Sequence, residues 1–216
     1  MPGVLSRESA DQIGVEVART KVNGGRWGVE GPPAEAYSRI TNPERFAPLH
    51  DAALAHLERL QQRFDVERVE GYRLDQELEK AGLTRPSIRL TPADPRAAPI
   101  VVAFTSFPAV IMRCGLLLVL GFPECGCDAC DETPEGELQR LAEVMDDVVG
   151  GRFRESIRIP FLGDAEQQWE LRSSTRQTRS GVRIARSRAR AFARGRSRTF
   201  EWSPWPLRNP SGELRR

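Results

Sequence analysis

The chain has 216 residues, of which 39% are hydrophobic and 29% are charged, and its formal net charge is +2. This length and hydrophobic content favour one well-packed domain with extensions over two small ones. No stretch approaches about 18 consecutive apolar residues, and no signal-peptide pattern opens the chain, so we expect no membrane span and a cytoplasmic location.

Charge is distributed unevenly along the chain. Residues 172–216 contain 13 arginines and two acidic residues, so residues 1–171 are net negative and should attract this basic part. Of 32 basic residues, only Lys21 and Lys80 are lysine. Richness in arginine is therefore a property of the whole chain and is weak evidence for a nucleic-acid partner.

The N-terminal part divides into an arm and the first helix of the body. Residues 1–36 contain Gly24-Gly25 and Gly31-Pro32-Pro33 with little helical periodicity, which predicts a loosely attached arm. Residues 37–216 are expected to form a single domain. The run Thr41-Asn42-Pro43-Glu44 offers a polar cap, a first-turn proline and an early acid, and it predicts a helix over residues 42–64.

The middle of the chain reads as a series of short strands. Their connections after residue 100 are too short for a parallel crossover, which predicts antiparallel pairing in a meander. The predicted strands cover residues 71–74, 87–90, 100–104, 110–114 and 116–122.

Beyond the strands, a second helix is predicted from Thr133-Pro134-Glu135 to Gly150-Gly151, with one apolar face toward the sheet. Residues 157–161 and 169–171 should form a hairpin, and residues 180–194 a basic amphipathic helix, followed by a closing strand at 199–202. The predicted fold class is therefore α+β, a mainly antiparallel sheet with two packed helices and a basic C-terminal helix.

Three cysteines, Cys125, Cys127 and Cys130, stand between the last meander strand and the second helix. Tetrahedral zinc needs sulfur atoms about 3.7 Å apart, whereas alternate side chains on an extended strand stand roughly 6.5–7 Å apart. The segment must therefore turn, and Gly126 supplies the backbone freedom. The two residues between Cys127 and Cys130 match the spacing of a zinc knuckle, which predicts a structural zinc site.

A fourth metal ligand must come from elsewhere in the chain. Cys114, on the neighbouring predicted strand, is the first candidate. His50 and His56, which flank the apolar stripe of the first helix, and the acids Asp128 and Asp131 are the others.

Two other interpretations of the cysteines stay open. The turn could be an acidic loop whose thiols are incidental, although Asp128, Asp131 and Glu132 would also favour a bound cation. Cys127 and Cys130 could instead form a redox pair. The second helix begins too late to lower the pKa of the first of these thiols, which weighs against redox chemistry.

The basic helix suggests a second function. Arg183, Arg186 and Arg190 could bind a phosphate backbone while Trp202 and Trp205 stack on bases. The simpler interpretation, which we favour, is that the arginines meet the acidic body and both tryptophans complete the core.

Catalytic signatures are missing from the sequence. It contains no paired-histidine zinc motif, phosphate-binding glycine loop, dinucleotide fingerprint or serine nucleophile elbow. An enzyme that used histidine would have only His50 or His56. A binding or interaction protein is therefore the leading expectation, with an enzyme as an alternative.

Three runs of the sequence carry a resemblance: Thr41-Asn-Pro-Glu-Arg-Phe, Val102-Ala-Phe-Thr-Ser-Phe-Pro and Cys125-Gly-Cys-Asp-Ala-Cys-Asp-Glu. Together they resemble a bacterial family catalogued as a domain of unknown function. The likeness extends to Trp205-Pro206 and covers most of the chain after residue 36. It implies one coherent domain and brings no substrate, cofactor or catalytic residue.

Overall fold

The computed structural model describes residues 26–72, 82–172, 177–193 and 197–209. These ranges contain two antiparallel sheets, of five and four strands, and three α-helices, so the α+β prediction is confirmed. Most of the predicted arm, the end of the predicted strand 71–74 and the last residue of the predicted helix 180–194 lie outside them. Within these ranges no helix combines the length and apolar character needed to cross a bilayer.

The first sheet is the predicted meander. Its strands pair antiparallel in chain order, and they are β1 (Val66–Glu70), β2 (Ile88–Pro92), β3 (Ile100–Phe104), β4 (Val110–Cys114) and β5 (Leu118–Phe122). The central strand β3 is buried at every position. Strand β1 precedes the position predicted for the first strand, because residues 66–70 continue directly from the first helix.

Two long helices pack on this sheet. Helix α1 (Pro48–Arg63) buries Leu49, Ala53, His56, Leu57 and Leu60, and helix α2 (Pro134–Val149) packs against α1 and β5. The predicted start of the first helix, at residue 42, falls on a separate 3-10 turn, Pro43–Phe46. Asn42 adopts a left-handed conformation with φ of 52° and makes no side-chain capping bond, so α1 itself begins later.

The second sheet has the strand order β8-β7-β6-β9. Its strands are β6 (Phe153–Arg158), β7 (Ala165–Arg172), β8 (Gln177–Ile184) and β9 (Ser197–Glu201). The predicted hairpin across residues 163–164 is present, with β6 and β7 as its two strands.

The predicted helix over residues 180–194 is wrong for its first half. Ser180, Val182 and Ile184 pair with Trp169, Gln167 and Ala165 of β7, so residues 177–184 form a strand. Only Arg186–Phe192 is helical, as the short helix α3. Strand β7 offers this segment a full hydrogen-bond ladder, and that pairing outweighs the helical spacing of the arginines.

The C-terminal segment, residues 202–208, seals the structure. It crosses the end of α2, the connection before β3 and the end of α1. Trp205 is 3% exposed, and its indole Nε1 donates to the carbonyl of Ala98 at 2.8 Å. Backbone bonds at 2.9 Å join Ser203 to Arg96, Trp205 to Val149, Pro206 to Asp65 and Arg208 to Arg63.

Candidate metal centre

The three cysteines lie on a tight turn between β5 and α2. The Glu132 carboxylate shapes this turn by accepting the backbone N–H groups of Glu124, Cys125 and Gly126, the last at 2.7 Å. Gly126 has φ of +73°, and a Cβ there would lie 2.6 Å from the Phe107 ring. Glycine is thus required at this position both by conformation and by space.

The turn brings the three sulfur atoms together. All three Sγ atoms lie within 4.8 Å of one another, and those of Cys127 and Cys130 are 3.4 Å apart. These separations bracket the sulfur spacing of about 3.7 Å that a tetrahedral zinc ion requires. Cys127 is buried, whereas Cys125 and Cys130 are half-buried, so one side of the cluster faces outward.

Without a bound metal, the three thiols interact through hydrogen bonds, and these bonds shift their pKa values in different directions. The hydrogen bond from Cys130 lowers the pKa of Cys125 to about 6. The same bond raises the pKa of Cys130, and burial raises the pKa of Cys127. The cluster thus favours one thiolate that accepts from its neighbours, a position that a thiophilic cation could take.

Asp128 ties the turn to the segment that precedes α1. Its carboxylate accepts from Arg39 Nε at 2.7 Å, and from the backbone N–H and the hydroxyl of Thr41, each at 2.8 Å. These bonds, led by that of Arg39, lower the pKa of Asp128 to about 2. Asp128 was one of the predicted candidates for the fourth metal ligand, but both of its carboxylate oxygens accept hydrogen bonds from Arg39 and Thr41.

Further contacts hold residues 27–41 against the cysteine turn. Trp27 Nε1 donates to the Asp128 carbonyl at 3.3 Å, and the Ala129 backbone N–H donates to Ala36 at 3.1 Å. Ala36 is fully buried beside Cys127 and Ala129. The described part of the predicted arm, residues 26–36, therefore packs on the turn.

The structure does not bring Cys114 to this cluster. In the β4–β5 hairpin Cys114 pairs with Leu118, whereas Val110 pairs with Phe122 at the end that leads to the cysteine turn. Cys114 thus lies a whole strand, about 13 Å, from that end. It is fully buried in the main core, and burial together with nearby Glu155 raises the pKa of its thiol.

Neither histidine joins the cysteines. His50 Nε2 lies 3.0 Å from the Ala109 carbonyl, and the His50 ring meets Phe104 edge-on. Nδ1 of His56 lies 2.9 Å from Arg59, and its Nε2 lies 3.4 Å from Asp146. Burial lowers the pKa of both rings. Among the described residues, the metal-ligating types gather into a group only at Cys125, Cys127 and Cys130.

The arginines proposed for nucleic-acid binding do not share one helix face. Arg183 lies on β8, whereas Arg186 and Arg190 lie on α3. The Arg186 guanidinium donates to the carbonyls of Pro160 and Gly163, at 2.8 and 2.9 Å, and so secures the β6–β7 hairpin.

The tryptophans of that proposal are part of the core. Trp202 and Trp205 are 9% and 3% exposed, and each indole donates a hydrogen bond within the protein, to Glu155 and to Ala98 respectively. Buried rings cannot stack on bases, so the structure agrees with the part of the simpler interpretation that places both tryptophans in the core. Within the described residues, the hydrogen bonds of Arg186 are to backbone carbonyls and not to acidic side chains.

The comparisons with known proteins give one match. A model of a protein family of unknown function matches residues 15–209. Neither the curated proteins nor the solved structures contain a match to the chain.

Proposed function

The chain belongs to the family of unknown function DUF6226, and we propose that it is a cytoplasmic binding protein whose Cys125, Cys127 and Cys130 hold a structural zinc ion. One observation carries the proposal: three sulfur atoms lie within 4.8 Å of one another on a preformed turn. Thiolates are soft ligands that suit zinc, and a reducing compartment would keep them available.

The surroundings of the sulfur atoms support a cation. Asp128, Asp131 and Glu132 all lie within a few residues of the thiols, so three thiolates would add negative charge to an acidic turn. A divalent ion offsets that charge. The Glu132 carboxylate is already directed at backbone amides, which leaves the sulfur atoms as the ligands that the turn offers.

The ion would act as a brace. Residues 27–41 contact the turn through Trp27, Ala36 and the Arg39–Asp128 ion pair. The apolar cluster at this corner is small: Ala36, Cys127 and Ala129 form its buried centre, and Trp27 and Ile40 pack against it. Zinc bound at the three thiols would hold the turn, and through it the segment that leads into α1.

Metal analysis of the full chain, purified without chelator, tests the proposal. We expect one zinc ion per chain in the wild type and loss of that zinc in Cys127→Ala, because the buried central ligand is removed. Cys114→Ala is the matched control: it removes the same atom from a buried cysteine outside the cluster and should keep its zinc.

Hydrogen exchange supplies a second measurement. The backbone amides of Thr41 and Ala129 should exchange faster in Cys127→Ala than in Cys114→Ala, since both amides are bonded across the turn. Folded wild-type protein with zinc far below one per chain would refute the zinc site. Full zinc content in Cys127→Ala would refute it equally.

A further inference from the structure

The chain has very few cysteine and histidine ligands, and each can be located. It contains four cysteines and two histidines, and all six lie within the described residues. Three of the cysteines form the cluster, and Cys114 lies at the far end of β4. The ring nitrogens His50 Nε2 and His56 Nδ1 lie within hydrogen-bonding distance of other groups. A fourth cysteine or histidine ligand is therefore not at hand in this fold.

The carboxylates of Asp128, Asp131 and Glu132 accept hydrogen bonds from other groups. Asp128 accepts bonds through both oxygens, from Arg39 and Thr41. Both oxygens of Glu132 accept backbone N–H groups, and its rotation toward a metal would release the turn that positions the sulfurs. Asp131 Oδ2 accepts the backbone N–H of Arg26 at 3.2 Å.

Two of the three clustered cysteines are partly exposed, which would allow an external ligand to approach a bound ion. Cys127 is buried at the base, whereas Cys125 and Cys130 are half-buried, so the approach to a bound ion runs past these two. Closed structural zinc sites have four protein ligands, whereas sites with three keep a position for water or another molecule.

We infer that the zinc keeps one exchangeable coordination position, which takes a neutral external donor: water at rest, and an imidazole nitrogen when one is supplied. This inference rests on the proposed zinc site. Its preference for a neutral donor follows from charge, because three thiolates already leave a divalent ion net negative, beside Asp131 and Glu132. A fourth anionic ligand would meet repulsion that a neutral nitrogen would not.

Cobalt substitution of the full chain tests this position. Cobalt(II) replaces zinc in thiolate sites, and its visible absorption bands report the number and type of ligands. We expect one cobalt per chain, and a saturable shift of these bands on titration with imidazole at constant cobalt content. The thiolate of 2-mercaptoethanol, an anionic donor, should produce the same kind of shift only at concentrations of thiolate above those needed for imidazole.

Different outcomes separate this inference from the zinc proposal. Failure to bind cobalt or zinc would refute the site itself. Stoichiometric cobalt whose bands do not respond to imidazole would refute only the open position, since the ion would then be saturated by the protein. Tighter binding of the thiol than of imidazole would refute the neutral ligand class.

Asp131→Asn provides a matched control on the ligand count. It should retain the imidazole response, because the Asp131 carboxylate is not a ligand in this inference and an asparagine oxygen can still accept the backbone N–H of Arg26. If this variant gained a response that the wild type lacked, Asp131 would be the fourth ligand and the open position would be refuted.

Discussion

Replacing Trp205 by alanine is expected to lower the free energy of unfolding by about 3–5 kcal/mol, as for other buried large aromatic residues. The ring is 3% exposed and meets Phe64 edge-to-face, with centroids 5.8 Å apart. Its removal also leaves the buried Ala98 carbonyl without the indole donor. For a chain of this size the midpoint of thermal unfolding should fall by about 6–20 °C.

Leu207→Ala is the control for this effect, because Leu207 lies two residues away in the same segment and is 66% exposed. It should change stability by no more than about 0.5 kcal/mol. The stability of Trp205→Phe should lie between those of Trp205→Ala and Leu207→Ala, since phenylalanine keeps part of the packing and loses the hydrogen bond. Equal melting temperatures for Trp205→Ala and Leu207→Ala would show that the C-terminal segment does not seal the core.

The buried carboxyl of Glu155 should make the protein less stable at high pH. Glu155 is fully buried on β6, and burial raises its pKa from 4.5 to about 7 against the opposing effect of its hydrogen bonds. Those bonds come from the backbone N–H groups of Leu116 and Leu117 and from the Trp202 indole, and nearby Cys114 is neutral.

The direction of this pH dependence follows from the pKa of Glu155 in the folded and in the unfolded protein. The folded protein holds the Glu155 proton more tightly than the unfolded chain does. The contribution of this proton to the free energy of unfolding is therefore complete below pH 4.5 and is lost as pH rises through about 7. The pKa difference corresponds to about 3 kcal/mol. Urea unfolding of the wild type at a series of pH values should show this decline.

Glu155→Gln isolates the effect of this one group. Oε1 accepts the bonds from Leu116 at 2.8 Å and from Trp202 at 3.2 Å, whereas Oε2 receives only a 3.4 Å contact from Leu117. A glutamine oxygen can keep the first two bonds. The difference in stability between wild type and variant should therefore change by about 3 kcal/mol across the titration. Parallel pH profiles for the two proteins would refute the raised pKa.

The meander was predictable because local features determine it. Each connection after residue 100 is short, and Gly115 adopts a positive φ of 60° at the β4–β5 turn. Antiparallel pairing is then the only arrangement within reach. The basic region was not predictable in this way: Arg179 and Arg183 satisfy helical spacing, but they also share one face of a strand. Pairing with β7 decides between the two, and no local pattern reports that pairing.

The candidate metal site was predictable in its local part only. A glycine turn suffices to gather Cys125, Cys127 and Cys130, so residue spacing indicated the cluster. The place of Cys114, the predicted fourth ligand, depends on strand register: the hairpin through Gly115 places Cys114 beside that turn, at the end opposite to residue 122. The bounds of the predicted strands, 110–114 and 116–122, already indicated that Cys114 lies at the end of the hairpin far from residue 122. The roles of Glu132 and Arg39 involve side-chain directions that spacing does not report.

The C-terminal segment also sets the order in which the protein can be completed during synthesis. Residues 202–208 bond to residues 63–65, 96–98 and 149, so α1 and the first sheet are made long before the part that covers their ends. At about 5–20 residues per second, residue 205 follows residue 65 by roughly 7–30 s. Throughout that interval the Phe64 ring lacks its tryptophan partner, and the nascent chain presents an apolar surface that chaperones can bind.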